Sequence, residues 1–220
     1  MSTLYIVATP IGNLGDITLR ALEVLKSVDL IACEDTRQTL KLLNHFEIKK
    51  PLISYHQHSR IQKVEQIIST ISSGNNVALV SDAGTPGISD PGQVLIKAAY
   101  EAKIKVVPIP GPSAVASVLS VSGLDTDLFV FYGFLPHKKG RHTRLKELAK
   151  EHKTVVIYES PYRIKKLLSE LLVTCGDREL FVGREVTKKF EESYRGKITE
   201  IMPKIKEKGE FVVIMEGMAK

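Results

Sequence analysis

The sequence predicts an α/β fold in two domains. The first is built on a mostly parallel five-stranded sheet with flanking helices, the second on a mixed α/β sheet. Three observations predict it. Short apolar runs alternate with amphipathic helical patterns through roughly the first 110 residues, as βαβ units do. Pro108-Ile109-Pro110-Gly111-Pro112-Ser113 then stops strand and helix alike, which sets a boundary between 1–112 and 113–220. Beyond it, strands no longer alternate strictly with helices, so some antiparallel pairing is expected.

In chain order, Leu4 to Ala8 is the first strand, followed by the loop Thr9 to Asp16. Asp16 caps a helix with Ile17, Ala21, Leu22, Leu25 and Val28 at helical spacing. Leu30 to Cys33 is a second strand. It runs into Glu34-Asp35-Thr36-Arg37 and a helix with Leu40, Leu43 and Phe46 on one face. Leu52 to Tyr55 is a third strand, ending at His56-Gln57-His58. Ser59 caps the next helix, with Ile61, Val64, Ile67, Ile68 and Ile71 inward.

The fourth strand, Val77 to Val80, is apolar throughout and suits burial on both faces. It breaks into Ser81-Asp82-Ala83-Gly84-Thr85-Pro86-Gly87, with no large side chain before Ile88. Asp90-Pro91 then reads as an N-cap aspartate and a first-position proline. A plain βα connection needs only about two to six residues. This one is longer and leaves a backbone-lined hollow where open α/β sheets bind ligands. Ile104 to Pro108 is the fifth strand.

In the second half Ser113 caps a helix from Ala114 to Ser122. Leu128 to Phe131 is a strand, and a loop leads to the basic helix Arg141 to His152. Thr154 to Tyr158 is a buried strand. Ser160 and Pro161 start a helix bearing Ile164, Leu167, Leu168, Leu171 and Leu172. Strands follow at Glu179 to Gly183, near Ser193 to Gly196 and at Phe211 to Met215, with a short helix from Ile198 to Lys206.

The 220 residues carry 31 Lys+Arg against 25 Asp+Glu, a net charge of +6. Residues 1–110 hold 11 and 10 of these, residues 111–220 hold 20 and 15, so the excess sits in the second half. That permits a nucleic-acid partner without requiring one. With no Trp and few aromatic residues, base stacking is not expected to dominate such binding. No apolar run reaches membrane-spanning length, and the N-terminus lacks the basic start of a signal peptide. Cys33 and Cys175 share no motif, which suits a reduced compartment, so a cytoplasmic protein is expected.

The dinucleotide fingerprint G-x-G-x-x-G and the P-loop are both absent. Small, neutral residues with Asp82 and Asp90 nearby suit a cofactor without phosphates. Two carboxylates and a guanidinium at one strand end make Glu34, Asp35 and Arg37 the first catalytic candidates, with His56, Asp90 and Glu159 behind them. A cap at Asp35 or Thr36 with Arg37 as its ion partner is an equal reading of the same residues. Asp90 reads better as a cap than as a catalyst. His56 and His58 lack a third ligand at metal spacing, so no metal is expected. Lys138, Lys139, Arg141 and Arg144 form the densest basic run. It is either a solvated helix face or an RNA-phosphate contact.

TPIGNLGDITLRAL, IACEDTR, SDAGTPGISDPG, PGPSA and YESPYR occur in this order and together cover nearly the whole chain. In this set the sequence resembles the ribosomal small-subunit RNA methyltransferases of the tetrapyrrole-methylase superfamily. The resemblance implies a tetrapyrrole-methylase-like fold, a homodimer, and S-adenosylmethionine bound in the cleft between two α/β domains. It implies methyl transfer to the ribose 2′-oxygen of a cytidine in the decoding region of 16S ribosomal RNA, on free RNA or the 30S subunit. Its cofactor contacts would be Pro10 and Gly12; Asp82, Ala83, Gly84 and Thr85; Gly111, Ser113 and Ala114; and Tyr158, Glu159 and Ser160. The sequence ends soon after its last strand, so no RNA-binding appendage beyond it is expected. A methylase of a small tetrapyrrole precursor and a non-catalytic ribosome assembly factor are the alternatives.

Overall fold

The computed structural model describes residues 2–56 and 61–218. The chain forms two compact units, Met1–Ser113 and Ala114–Lys220.

Unit 1 holds the strands β1 (Thr3–Val7), β2 (Leu30–Cys33), β3 (Leu52–Ser54), β4 (Val77–Val80) and β5 (Lys105–Ile109). They form one parallel sheet in the order β3-β2-β4-β1-β5. β4 is central and buried at all four positions, as its unbroken apolar run requires. Four helices connect the strands: α1 (Leu19–Ser27), α2 (Thr36–His45), α3 (Ile61–Ser72) and α4 (Gln93–Glu101). Two apolar clusters cover opposite faces of the sheet. Val64, Ile67, Ile71, Leu95 and Ala99 pack on one, Ala21, Leu25, Val28 and Leu43 on the other.

Several expected details differ. A 3-10 turn at Leu14–Asp16 is capped by Asn13, and α1 begins only after Thr18, whose hydroxyl accepts from the Ala21 N–H at 3.1 Å. Asp16 therefore caps nothing. Leu40 and Ile61 face solvent, because Thr39 and Leu42 take the inner positions of α2, and Val64 is the first buried residue of α3. The expected Ser59 cap lies outside the described residues. Asp90 does not cap α4. That helix starts at Gln93 behind Gly92, with no side-chain cap on Gly92. The hydroxyl of Tyr55, just past β3, accepts from the Leu95 N–H at 3.2 Å and satisfies a first-turn donor from outside the helix.

Unit 2 begins with α5 (Ala114–Ser122). It continues through β6 (Phe129–Phe134), α6 (Arg141–Ala149), β7 (Thr154–Glu159), α7 (Ile164–Cys175), β8 (Glu179–Arg184), β9 (Glu192–Lys197), the single turn α8 (Ile198–Ile201) and β10 (Phe211–Met215). The sheet order is β6-β7-β10-β8-β9, with β6 and β7 parallel and the other pairs antiparallel. α6 and α7 cover one face, and α5 covers the other through Val115, Val118 and Leu119. Ser160 and Pro161 do not open α7. They form a turn before it, where the Ser160 carbonyl accepts from the Arg163 and Ile164 N–H groups at 3.1 Å each.

Candidate active site

The carboxyl edge of the first sheet carries three loops that the backbone ties together. Thr9 and Gly84 exchange both backbone hydrogen bonds, at 2.9 and 3.0 Å, forming an antiparallel bridge beyond the ends of two parallel strands. The Thr9 hydroxyl donates to the Ser81 carbonyl at 3.1 Å. Gly84 sits at φ 81°, a conformation that side chains with a Cβ rarely take, which is why the bend needs glycine there. The third loop joins through the Thr85 hydroxyl, which donates to the Pro112 carbonyl at 3.4 Å. Gly111 completes the contact. A Cβ on it would stand 2.9 Å from that of Ala8. The structure thus brings Pro10, Asp82, Ala83, Gly84, Thr85 and Gly111 into one rim, with Gly12 and Ser113 on the same loops. Gly12, Asp82, Ala83 and Gly111 are exposed along it, while Pro10 and Gly84 are buried beneath.

Beside the rim lies an acidic patch at the ends of β2 and β4. The Asp35 N–H donates to Asp82 Oδ1 at 3.0 Å, which ties the two strand-end loops together. Asp35 is the N-cap of α2. It accepts from the Arg37 N–H at 2.8 Å and pairs with the Arg37 guanidinium at 2.8 and 3.1 Å. Those bonds hold its carboxyl down at about 2, the guanidinium contributing first and the backbone N–H second. Asp35 and Arg37 are therefore occupied with each other, and their equal reading as cap and ion partner is the one the geometry favours.

Glu34 and Asp90 behave oppositely. Burial raises the Glu34 carboxyl, and Asp82 raises it further, against smaller downward pulls that include His56. Burial also raises Asp90, to about 6, with Glu34 adding to the shift and the Ser81 hydroxyl opposing it. Asp90 is thus a carboxylate more basic than usual rather than a cap. The helix starts at Gln93 because Gly92, at φ 160° and ψ −39°, is not helical. His56 lies within electrostatic reach of Glu34; His58 lies outside the described residues. Among the described residues, no group of three or more His, Cys, Asp or Glu could hold a metal ion.

In unit 2, Tyr158, Glu159 and Ser160 stand at the carboxyl end of β7. The Glu159 side chain is fully buried. Its Oε1 accepts from the Ser160 N–H at 2.8 Å and pairs with Arg163 at 2.7 Å; its Oε2 lies 3.9 Å from Arg141. The carboxylate faces inward and is taken up by these partners, so it is not free to meet a ligand. Arg141 also corrects an expectation. It is buried, donating to Glu170 at 2.6 and 2.8 Å and to the Pro136 carbonyl at 3.1 Å, so it is not a surface contact for phosphates. Lys138, Lys139 and Arg144 are exposed. Sequence reasoning missed this ionic network, although Glu159 and Arg163 stand at i,i+4 spacing.

The rim fits S-adenosylmethionine in the chemistry of its groups. It offers small residues and backbone edges for a nucleoside, and beside it Glu34, Asp82 and Asp90 stand against the single guanidinium of Arg37, already paired with Asp35, a balance that suits a sulfonium better than a polyphosphate. Among the described residues no helix is long and apolar enough to cross a membrane.

The sequence model of the "Tetrapyrrole (Corrin/Porphyrin) Methylases" matches residues 3–202. A Synechocystis protein named ribosomal RNA small subunit methyltransferase I is 50% identical, over 99% of this chain and 80% of its own length. A Thermotoga maritima protein of the same name is 46% identical over 99% of both chains. Among solved structures, diphthine synthase superposes with a TM-score of 0.76 at 14% identity, covering 98% of this chain and 90% of its own. A Thermus thermophilus uroporphyrin-III-C-methyltransferase gives 0.66 at 18%, covering 98% and 94%. At those identities the two structures speak for the fold alone, a tetrapyrrole-methylase fold with a five-stranded parallel sheet and a second, mixed sheet. With the rim and both sheets in place, the chain belongs to the tetrapyrrole (corrin/porphyrin) methylases, a family of S-adenosylmethionine-dependent methyltransferases.

Proposed function

We propose that this protein methylates small-subunit ribosomal RNA, using S-adenosylmethionine held at the three-loop rim of the first sheet. The finer reading is transfer to the ribose 2′-oxygen of a cytidine in the decoding region. The rim, tied by the Thr9–Gly84 bridge, is the observation that carries the donor site. The names of full-length relatives and the exposed cations of unit 2 support RNA as acceptor. A methylase of a compact tetrapyrrole precursor would have no need of Lys138, Lys139 and Arg144.

The donor supplies an electrophilic methyl on a positively charged sulfur. The chain's own residues do the rest. The loops orient the donor and exclude water around it, so that alignment replaces a bimolecular encounter. A ribose hydroxyl is a poor nucleophile and needs a base as its proton leaves. Asp35, held near 2, is a weak base. Asp90, near 6, is ionised at neutral pH yet more basic than an ordinary carboxylate, and Glu34 is raised beside it. In this reading the Glu34–Asp90 pair takes the 2′-hydroxyl proton as the oxygen–carbon bond forms and the carbon–sulfur bond breaks. Asp35 and Arg37 hold the start of α2 in place. Lys138, Lys139 and Arg144 contact RNA phosphates, and the active species is a homodimer.

The test is incubation of the protein with methyl-labelled donor and isolated small subunits. Label in the RNA, mapped to a 2′-O-methylcytidine, is the expected result. Label entering a tetrapyrrole precursor offered in a parallel reaction but not the RNA, or donor binding without product in either, would replace this reading with one of the two alternatives.

A further inference from the structure

Phe134 is 54% exposed at the end of β6, the edge strand of the second sheet. Of the fourteen Phe and Tyr residues in the chain, four fall within Phe129–Phe134. A register shift between Phe131 and Gly133 carries Phe134 to the face of Phe131, opposite Tyr158. The Phe134 and Tyr158 rings lie 5.5 Å apart. The next residues turn away from the sheet into an exposed run, His137 followed by the cations Lys138 and Lys139, ahead of α6. Arg144 of α6 lies over the Tyr132 ring at 5.6 Å.

This segment is anchored from below. Arg163 donates to the Leu135 carbonyl at 3.4 Å and Arg141 to the Pro136 carbonyl at 3.1 Å. Both guanidiniums are drawn to the one buried carboxylate of Glu159. Two successive peptide groups between the exposed ring and the lysines are thereby held. A surface that is already ordered loses little freedom on binding.

We propose that Phe134 stacks on an unpaired nucleobase of the RNA while Lys138 and Lys139 contact the neighbouring phosphates. The inference rests on RNA being the acceptor. Lysines beside the ring favour RNA over a protein partner, since protein interfaces are depleted of lysine at their centres. An aromatic face recognises single-stranded RNA, whose bases are free to stack, and not a closed helix. Aromatic residues are few in this chain, but their concentration at one strand end beside cations gives stacking a place to act.

The test uses a short cytidine-rich single-stranded RNA carrying one 5-iodouridine. Its affinity is measured by anisotropy at several salt concentrations, with thermal melting to check that each variant is folded. Phe134→Leu keeps the apolar bulk and removes the π face. It is expected to weaken binding roughly 5- to 150-fold, with the salt slope unchanged. Phe134→Trp restores binding. The pair Lys138→Gln and Lys139→Gln flattens the salt slope by about 1.4. Irradiation of the unmodified protein cross-links the iodouridine to Phe134, which supports the assignment even if the leucine variant fails to fold. Unchanged affinity of a folded Phe134→Leu overturns the proposal, as does a shift in its sedimentation with RNA binding intact, which would put a second copy of the chain over the ring. If the unmodified protein labels small subunits and the leucine variant does so with unchanged KM, this inference alone falls. If the unmodified protein neither binds RNA nor labels subunits, the reading beneath it falls first.

Discussion

Removing the Glu159 carboxylate exposes how much unit 2 depends on one buried charge. Glu159→Ala leaves Arg163, which is only 16% exposed, with the Ser160 hydroxyl at 3.3 Å and the Leu135 carbonyl as its hydrogen-bond acceptors. It also strips the Ser160 N–H of its acceptor. Arg141 fares better, because Glu170 still holds it at 2.6 Å. Breaking a buried ion pair from one side costs about 3–5 kcal/mol. The lower end applies, since Glu159 Oε2 is buried without a hydrogen-bond partner and already carries a cost that the substitution removes. A loss of about 3 kcal/mol corresponds to a fall in Tm of roughly 12–24 °C for a domain of about a hundred residues. Glu159→Gln keeps an oxygen for Ser160 and Arg163 and loses less, about 1–2 kcal/mol. Urea unfolding followed by circular dichroism measures both variants, and a double-mutant cycle with Arg163→Ala isolates the pair. A loss below about 1 kcal/mol for Glu159→Ala, or simple additivity with Arg163→Ala, would refute the argument.

The raised carboxyl of Asp90 works against the folded state. The group binds its proton more tightly folded than unfolded, so its contribution is favourable below the ordinary carboxylate range and is lost as pH rises through about 6. Asp90→Asn therefore stabilises at pH 8, by on the order of 1 kcal/mol after allowance for solvent screening, and changes little at about pH 3, below the ordinary aspartate value; equal melting shifts at both pH values would contradict this. The same substitution should remove most methyl transfer and bring donor affinity down to what the unmodified protein shows once Asp90 is protonated, as calorimetry would report. A cation seated beside Asp90 favours its ionised form, so donor affinity falls as pH drops below about 6; flat affinity across that range would separate donor and carboxylate. Gly111→Val places a branched side chain against Ala8, where even a Cβ is already too close. Donor binding should weaken at least tenfold with only a modest drop in Tm, and normal donor binding would place the site elsewhere.

Local patterning carried most of the fold into view. The apolar runs of β1, β2 and β4 and the 3.6-residue spacing of α1 and α7 are signals that tertiary packing reinforces. Helix starts were less legible. Asp16, Asp90 and Ser160 all carry cap chemistry, yet none caps an α-helix. Thr18 competes better for α1, Gly92 stands between Asp90 and α4, and the Ser160 carbonyl rather than its hydroxyl takes the first donors of α7. Periodicity likewise overstated Leu40 and Ile61, each at the margin of its helix's apolar stripe. The loop residues of the rim were legible because glycine and proline leave few alternatives. Arg141 was not. In sequence it is one cation among several, and only the fold shows that it points down to Glu170 and not out to solvent.

The paired bonds between Thr9 and Gly84 have a kinetic corollary. Neither loop can lift from the sheet without releasing the other, so the two amides should exchange with deuterium at matching, slow rates although both lie outside the regular strands. The rim then behaves as a hoop and not as two flaps. Movement at the rim must then come from its side chains or from the loop bearing Pro112, which the Thr85 hydroxyl tethers to the hoop at 3.4 Å.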